Sequence, residues 1–157
     1  MDREEFSRRV LASREKLYRI AIAILSREAD AEDAAQEALV KAWRALPGLR
    51  DENYFETWLI RILINECRRA LRVRAKEPSS ELPETLPAPE PSNPALRDAL
   101  DLLDVKYRLP LVLHHVGGYT LEETARLLRL PAGAVRWRIR KGTLKLRDML
   151  TEEEVYL

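Results

Sequence analysis

Residues 119–150 read YTLEETARLLRLPAGAVRWRIRKGTLKLRDML, and this stretch decides the fold. Thr120 stands three residues before Glu123, the reciprocal pattern that caps the start of a helix. Leu121, Ala125 and Leu128 follow at helical spacing and form the core side of a short helix. Arg129-Leu130-Pro131 ends it, because proline lacks a backbone donor and disfavours helix in the residue before it. A longer helix then carries Val135, Ile139, Gly142, Leu146 and Met149 on one side. Ala125 is small where the two helices must approach closely. Helix, short turn and helix of these lengths predict a helix-turn-helix. From Arg126 to Arg147 there are eight Lys/Arg and no acid, a composition suited to phosphates and major-groove base edges. Opposite the Val135/Ile139 side stand Arg136, Trp137, Arg140 and Lys141, with Arg138 and Thr143 at the margins; these are the expected groove-facing residues. Trp137 either packs on the preceding helix or offers its large apolar surface to DNA or to a protein partner.

Working outward, helices are expected near Ala95–Leu103 and Lys106–Val116, the second ending at Gly117-Gly118. Before them, six of the nine prolines fall between Pro78 and Pro94, in EPSSELPETLPAPEPSNP. Residues 77–94 also carry four Glu and no base, so they read as an extended acidic linker that cannot bury a core. The linker separates residues 1–76 from residues 95–157. The first block has 16 Lys/Arg against 13 Asp/Glu, and the second has 11 against nine. Two mildly basic helical domains thus flank an acidic segment.

In the first block, Phe6, Val10, Leu17, Ile20 and Ile24 predict a helix or helix pair over roughly residues 2–25. Asp30 is the expected N-cap of a second helix, which runs to about Leu46 before Pro47-Gly48. Its apolar line is Ala31, Ala35, Ala38, Leu39, Ala42, Trp43 and Leu46. Asp33, Gln36, Glu37 and Lys41 share an outer face that spacing alone describes only as solvated. The third helix is expected from Tyr54 to Arg74, with Phe55, Trp58, Leu59, Ile62 and Leu63 toward the core. After its aromatic start, the segment from Tyr54 to Lys76 carries Arg61, Arg68, Arg69, Arg72, Arg74 and Lys76, with only Glu66 opposing. Aromatic residues beside such a basic stripe suit unstacked bases and a single-stranded backbone.

Composition excludes other classes. Cys67 is the single cysteine, so no internal disulfide can form, which fits a reducing cytoplasm. The opening MDREE is charged, no apolar signal-peptide core follows, and the run Ile20–Leu25 is far too short to span a bilayer, so no signal peptide and no membrane insertion are expected. His114 and His115 lack Cys or carboxylate partners at ligand spacing, and are expected in or beside the core of the second domain. No catalytic residue, no metal and no cofactor site is expected. These features describe a DNA-binding protein rather than an enzyme. From the residues alone, a conventional helix-turn-helix regulator with an N-terminal dimerisation or sensor domain fits them too.

DAEDAAQEALVKAW (30–43), FETWLIRILINECRRALR (55–72) and the helix-turn-helix, in that order, resemble regions 2 and 4 of extracytoplasmic-function sigma factors of the sigma-70 family. The resemblance implies an all-α chain of two small helical domains, acting with core RNA polymerase on promoter DNA from the cytoplasm. Asp33, Gln36, Glu37 and Lys41 would dock on the clamp helices of the largest polymerase subunit. The second domain would meet the flap of the second-largest. Tyr54, Arg61, Asn65, Arg68, Arg69 and Arg72, with the loop 47–54, would melt and read the −10 element. Thr120, Arg136, Trp137, Arg140 and Lys141 would read the −35 element. The acidic linker would occupy the polymerase channel, and an anti-sigma factor is implied as a further partner. The chain departs from the family at Ala134-Val135-Arg136-Trp137-Arg138, where Thr-Val-Lys-Ser-Arg is usual. It departs again at Lys141-Gly142-Thr143, where Arg-Ala-Arg is usual, and Gly142 is expected to weaken the helix slightly.

Overall fold

The computed structural model describes residues 1–77 and 94–155, with side chains through Thr151. From residue 78 to 93 the expected linker lies outside the described residues, as do the side chains of the acidic tail beyond Thr151. Every regular element among the described residues is helical. The chain divides into two compact units, Met1–Leu82 and Pro83–Leu157.

The first unit is built from three long helices. Helix α1 (Arg3–Leu25) is capped by Asp2, whose carboxylate accepts the Glu5 N–H at 2.8 Å. Phe6, Leu17, Ile20 and Ile24 are buried as their spacing predicts, joined by Ala21 and Leu25; Val10 is only half-buried. Helix α2 (Glu28–Ala45) starts before Asp30, so Asp30 is not the N-cap. Arg27 holds that position without a side-chain bond. Asp30 sits in the first turn, where the helix dipole favours an acid, and its carboxylate is taken by Arg74.

Helix α2 packs against both neighbours, and its buried line is Ala31, Ala34, Ala38 and Ala42. Ala35 and Leu39 are half-buried, and Trp43 is 45% exposed although its ring meets Phe6 at 5.1 Å. After two short 3-10 turns, Leu46–Gly48 and Glu52–Tyr54, helix α3 (Phe55–Lys76) returns. It buries Phe55, Leu59, Ile60, Leu63, Ile64 and Cys67. Trp58 and Ile62, expected in the core, are half-buried. The reason is that α3 meets α1 as well as α2, so burial spreads toward Ile60, Ile64 and Cys67.

Among the described residues the second unit has four α-helices: α4 (Pro94–Leu102), α5 (Val105–Leu111), α6 (Leu121–Leu128) and α7 (Ala132–Val155). Leu100, Leu103, Tyr107 and Leu111 are buried, with Ile139, Leu146 and Met149 of α7 packed on them. Arg108, only 4% exposed, donates to the carbonyls of Asp101 (2.8 Å) and Leu103 (2.7 Å), satisfying backbone acceptors where α4 ends. Helix α5 is shorter than expected. Pro110 has no N–H to donate within it, and the chain continues as a wider π turn, Val112–Val116, closed by Gly117 N–H on Val112 O at 3.0 Å. Gly118 follows with φ +75, the left-handed region that glycine adopts without penalty.

Gly142 has a role that helix propensity does not show. A Cβ there would lie 2.7 Å from Leu111 Cδ1 and 3.1 Å from Tyr107 Cβ, so glycine lets α7 sit close on α5. The alanine seam and Gly142 predict the same response to added volume. Ala38→Leu should destabilise the first unit, and Gly142→Leu the second, each by about 1–3 kcal/mol. Urea titration of the full chain reads both, and an unchanged midpoint for either variant would contradict the packing described.

Candidate nucleic-acid interface

Helix α3 presents its polar side as a stripe. Arg61, Asn65, Arg68 and Arg72 recur every three or four residues, which places them one above another. Asn65 and Arg72 are exposed, while Arg61 and Arg68 are half-buried. Tyr54 stands at the N-terminus of α3 and is 62% exposed. The turn beneath it is fixed to α1: Arg9 donates to Glu52 O at 2.6 Å and its guanidinium lies 5.8 Å from the Phe55 ring centroid. The other aromatics are structural. Phe6, Phe55 and Trp58 form a chain of rings with centroids 5.7 and 5.9 Å apart.

Arg69 belongs elsewhere. It lines a groove between α2 and α3 together with Asp33, Glu37, Glu66 and Val73. Two of the residues expected to dock polymerase, Asp33 and Glu37, and one residue expected to touch DNA thus share one concave surface. Asp33, Gln36 and Glu37 are exposed along α2, as expected. Lys41 does not stand free beside them: its ammonium bonds the carboxylate of Glu66, which is 7% exposed, across the α2–α3 contact. Arg74, which sequence spacing assigned to the basic stripe, donates at 2.6 Å to both Leu25 O and Asp30 Oδ2. It ties the end of α1 and the start of α2 to α3. The signal for both pairings is acid and base on different helices, which periodicity along one helix does not reveal.

In the second unit the helix-turn-helix forms as its sequence predicts. Thr120 Oγ1 accepts the Glu123 N–H at 3.1 Å, and the Thr120 N–H donates to Glu123 Oε1 at 2.9 Å. The Thr120 hydroxyl is therefore engaged in holding α6. Thr124, Ala125, Leu127 and Leu128 are buried, and Leu121 is half-buried. Arg129 closes α6 in the left-handed conformation, φ 56. Val135 is fully buried and carries α7 against the unit. Arg136, Trp137, Arg140 and Lys141 are exposed, and Arg138 is half-buried.

The histidines lie beside the core: the His114 ring is 2.7 Å from Tyr119 O through Nδ1, and His115 is exposed. Partial desolvation of its ring first, and then the neighbouring His114, hold His115 below its ordinary pKa. Among the described residues, no group of His, Cys, Asp and Glu could hold a metal ion.

Two helical units, the second a basic helix-turn-helix, define a class of DNA-binding transcription proteins. The family profile Sigma-70 region 2 matches residues 10–77, and Sigma-70, region 4 matches residues 94–146. The chain is 32% identical over 130 residues to the ECF RNA polymerase sigma-E factor of Escherichia coli K12, covering 70% of this chain and 68% of that protein. It is 32% identical over 152 residues to the ECF RNA polymerase sigma factor SigE of Mycolicibacterium smegmatis, where the match covers 88% of this chain but spans 58% of that protein. Among solved structures, it is similar to the sigma factor RpoE of Bartonella quintana, crystallised with the anti-sigma factor NepR. That similarity has TM-score 0.81 and 25% identity, over 94% of this chain and 98% of the other. CnrH, solved with the cytosolic domain of CnrY, matches with TM-score 0.75 and 26% identity, over 96% of this chain and 90% of that one. The chain belongs to the extracytoplasmic-function sigma factors of the sigma-70 family.

Helix α3 also predicts a pH response, through the cysteine on its buried side. Burial, and then the negative charge of Glu66, push the Cys67 thiol from 9.0 up to about 12. Below pH 9 folded and unfolded chains both keep the proton, so the group contributes nothing to pH dependence. Between pH 9 and about 12 the unfolded chain releases a proton that the folded chain retains, so stability falls as pH rises. The difference in unfolding free energy between wild type and Cys67→Ala should be flat below pH 9 and shrink above it. A constant difference across that window would show that Cys67 ionises normally in the folded protein.

Proposed function

We propose that this chain is a sigma subunit that recruits core RNA polymerase to specific promoters, reading the −10 and −35 elements with separate domains. The observation that carries this reading is the order of the matches: region 2 falls on the first helical unit and region 4 on the second. We assign residues 1–76 to polymerase and −10 binding, 77–94 to an acidic linker and 95–157 to −35 binding. Family membership favours this over a conventional helix-turn-helix regulator with its own sensor domain. The protein acts by binding, without a cofactor, in the compartment of the polymerase, the cytoplasm. Among the described residues no helix is long and apolar enough to cross a membrane.

Within this reading, exposed Asp33, Gln36 and Glu37 face the clamp helices, with Lys41 and Glu66 holding α2 to α3 behind them. Tyr54 and the stripe Arg61, Asn65, Arg68 and Arg72 handle the −10 strand, and Arg69 joins them from the groove flank. Arg136 and Arg140 read or grip the −35 duplex, beside Trp137 and Lys141, with Thr120 setting the start of the first helix of the pair. The flap of the second-largest polymerase subunit receives the second domain. RpoE of Bartonella quintana assembles with an anti-sigma factor, and this chain is assigned a partner of the same kind, which would cover its reading faces.

Run-off transcription tests the function. Core polymerase of the same host should yield a promoter-specific transcript only when the protein is added. Absence of both a transcript and a core–protein complex would reject the reading. For the docking face, Glu37→Lys should weaken core binding by about tenfold while helicity is kept, since like charges set across an interface are penalised. Truncation of a base-reading arginine, Arg136→Ala or Arg140→Ala, should cost about 1–3 kcal/mol of promoter affinity. Filter binding at fixed salt reads it; if neither variant changes affinity or sequence preference, α7 is not the reader.

A further inference from the structure

The outer surface of α7 has two edges. One carries Arg136, Arg140 and Arg147, all exposed. The other carries Trp137, Lys141 and Lys145, and it is tied to α5. The Trp137 ring lies 6.2 Å from that of Tyr107, tilted by 50°. Lys141 Nζ sits 4.8 Å from the Trp137 centroid and 5.9 Å from that of Tyr107. Lys106 and Lys145 approach the Tyr107 ring at 5.1 and 5.5 Å. Tyr107 itself is 4% exposed and part of the core with Leu100, Leu103 and Leu111.

Trp137 is therefore neither buried nor swinging free. It is 53% exposed, with a core tyrosine beside it and a lysine over its ring. Such backing reduces the entropy lost when an exposed aromatic engages a partner. The chemistry of the patch narrows the partner. An indole offers one N–H donor, no acceptor and a large apolar edge. Three ammonium groups gather around it and its neighbour, and no ion pair neutralises them among the described residues. The occupant must bring negative charge and an apolar feature within one side chain's reach. Duplex DNA does so where a thymine 5-methyl group projects into the major groove between phosphates.

We propose that Trp137, held by Tyr107 and Lys141, is a specificity-determining residue that reads one thymine of the upstream promoter element through its methyl group, while Lys106, Lys141 and Lys145 neutralise the flanking phosphates. This rests on α7 being the −35 reader. It separates the roles on the helix: the arginine edge reads polar base edges or phosphates, and the tryptophan edge reads a methyl. It also makes Lys141 a positioning residue for Trp137 and Lys106, on α5, a DNA contact outside the helix-turn-helix.

The test uses the full chain assembled with core polymerase of its host and a randomised duplex library. After selection, each thymine of the enriched upstream motif is replaced in turn by uracil, which removes only the methyl. One position should bind about fourfold more weakly, the factor expected for losing one buried methyl-sized group. Trp137→Ala should abolish that difference, and Trp137→Phe, which keeps an aromatic face, should retain part of it. The uracil scan on wild-type protein stands even where a variant folds poorly. If a motif is enriched and Arg140→Ala relaxes it, but no thymine is methyl-sensitive, the inference fails while α7 remains the reader. If Trp137→Ala leaves the uracil effect unchanged, or lowers only polymerase affinity, the cluster is a protein contact and the inference fails. If no upstream motif is enriched and the arginine variants are silent, the reading of α7 fails and this inference with it.

Discussion

Close approach of helix backbones is the constraint on which both units depend. In the first, Ala31, Ala38 and Ala42 are wholly buried where α2 packs against α1 and α3. A helix lined by alanine brings little apolar area of its own, so the large side chains that fill the core come from its neighbours. Ile20, Ile24 and Leu25 of α1 and Leu59, Ile60 and Leu63 of α3 are among the most deeply buried residues. Dense packing then makes each alanine position sensitive to a single added methylene. In the second unit Gly142 plays the same part, where a Cβ would strike Leu111 and Tyr107. Small residues on the inner face thus set the depth at which α2 packs, and Gly142 does so at one point of α7, between Ile139 and Leu146.

The polar residues divide along the same lines. Arg74 and Arg108 are cationic, yet both are spent on helix ends: one bonds Leu25 O and Asp30, the other Asp101 O and Leu103 O. An arginine suits this work because its planar fork can satisfy several acceptors at once. A count of positive charge along α3 therefore overstates the charge open to a partner, because Arg74 is engaged within the unit.

Local signals were legible in the sequence. Thr120 and Glu123 form the expected capping box, and Pro47 and Pro131 mark the expected breaks between helices. The periodicities of α1 and α7 were legible because each buries one side. Signals that depend on a second helix were not. Asp30 resembles an N-cap because its side chain can serve as one, but Arg74, from the far end of α3, takes its carboxylate instead. Lys41 shares spacing with Asp33 and Glu37, yet Glu66 draws it inward. Gly142 reads as a weak helix residue until Tyr107 is seen beside it. Of the candidate site, the exposure of Asp33, Gln36 and Glu37 on α2 and of Arg136, Trp137, Arg140 and Lys141 on α7 was legible, and the pairing of Trp137 with Tyr107 was not, because Tyr107 lies 30 residues earlier.

That pairing bears on how a recognition helix, the role proposed for α7, can be specific. One good contact to a base discriminates by about 1–3 kcal/mol, so a few contacts cannot single out a promoter in a genome. On the reading proposed above, two small readers carried on one chain would overcome this, because once one is bound the other searches a restricted volume. The gain depends on each reader holding its geometry before DNA arrives, since ordering a long side chain on binding consumes part of each contact. Arg136 and Arg140 are long and exposed, and they bear that loss. Trp137 has only two side-chain torsions and is already packed against Tyr107 and Lys141, so it bears less. A rigid apolar residue beside flexible cations gives α7 one contact whose position is set by the core of its own unit. On the promoter-reading role proposed above, the arginines would adapt around that fixed point, and the packing of Tyr107 would set the register together with the lysine contacts.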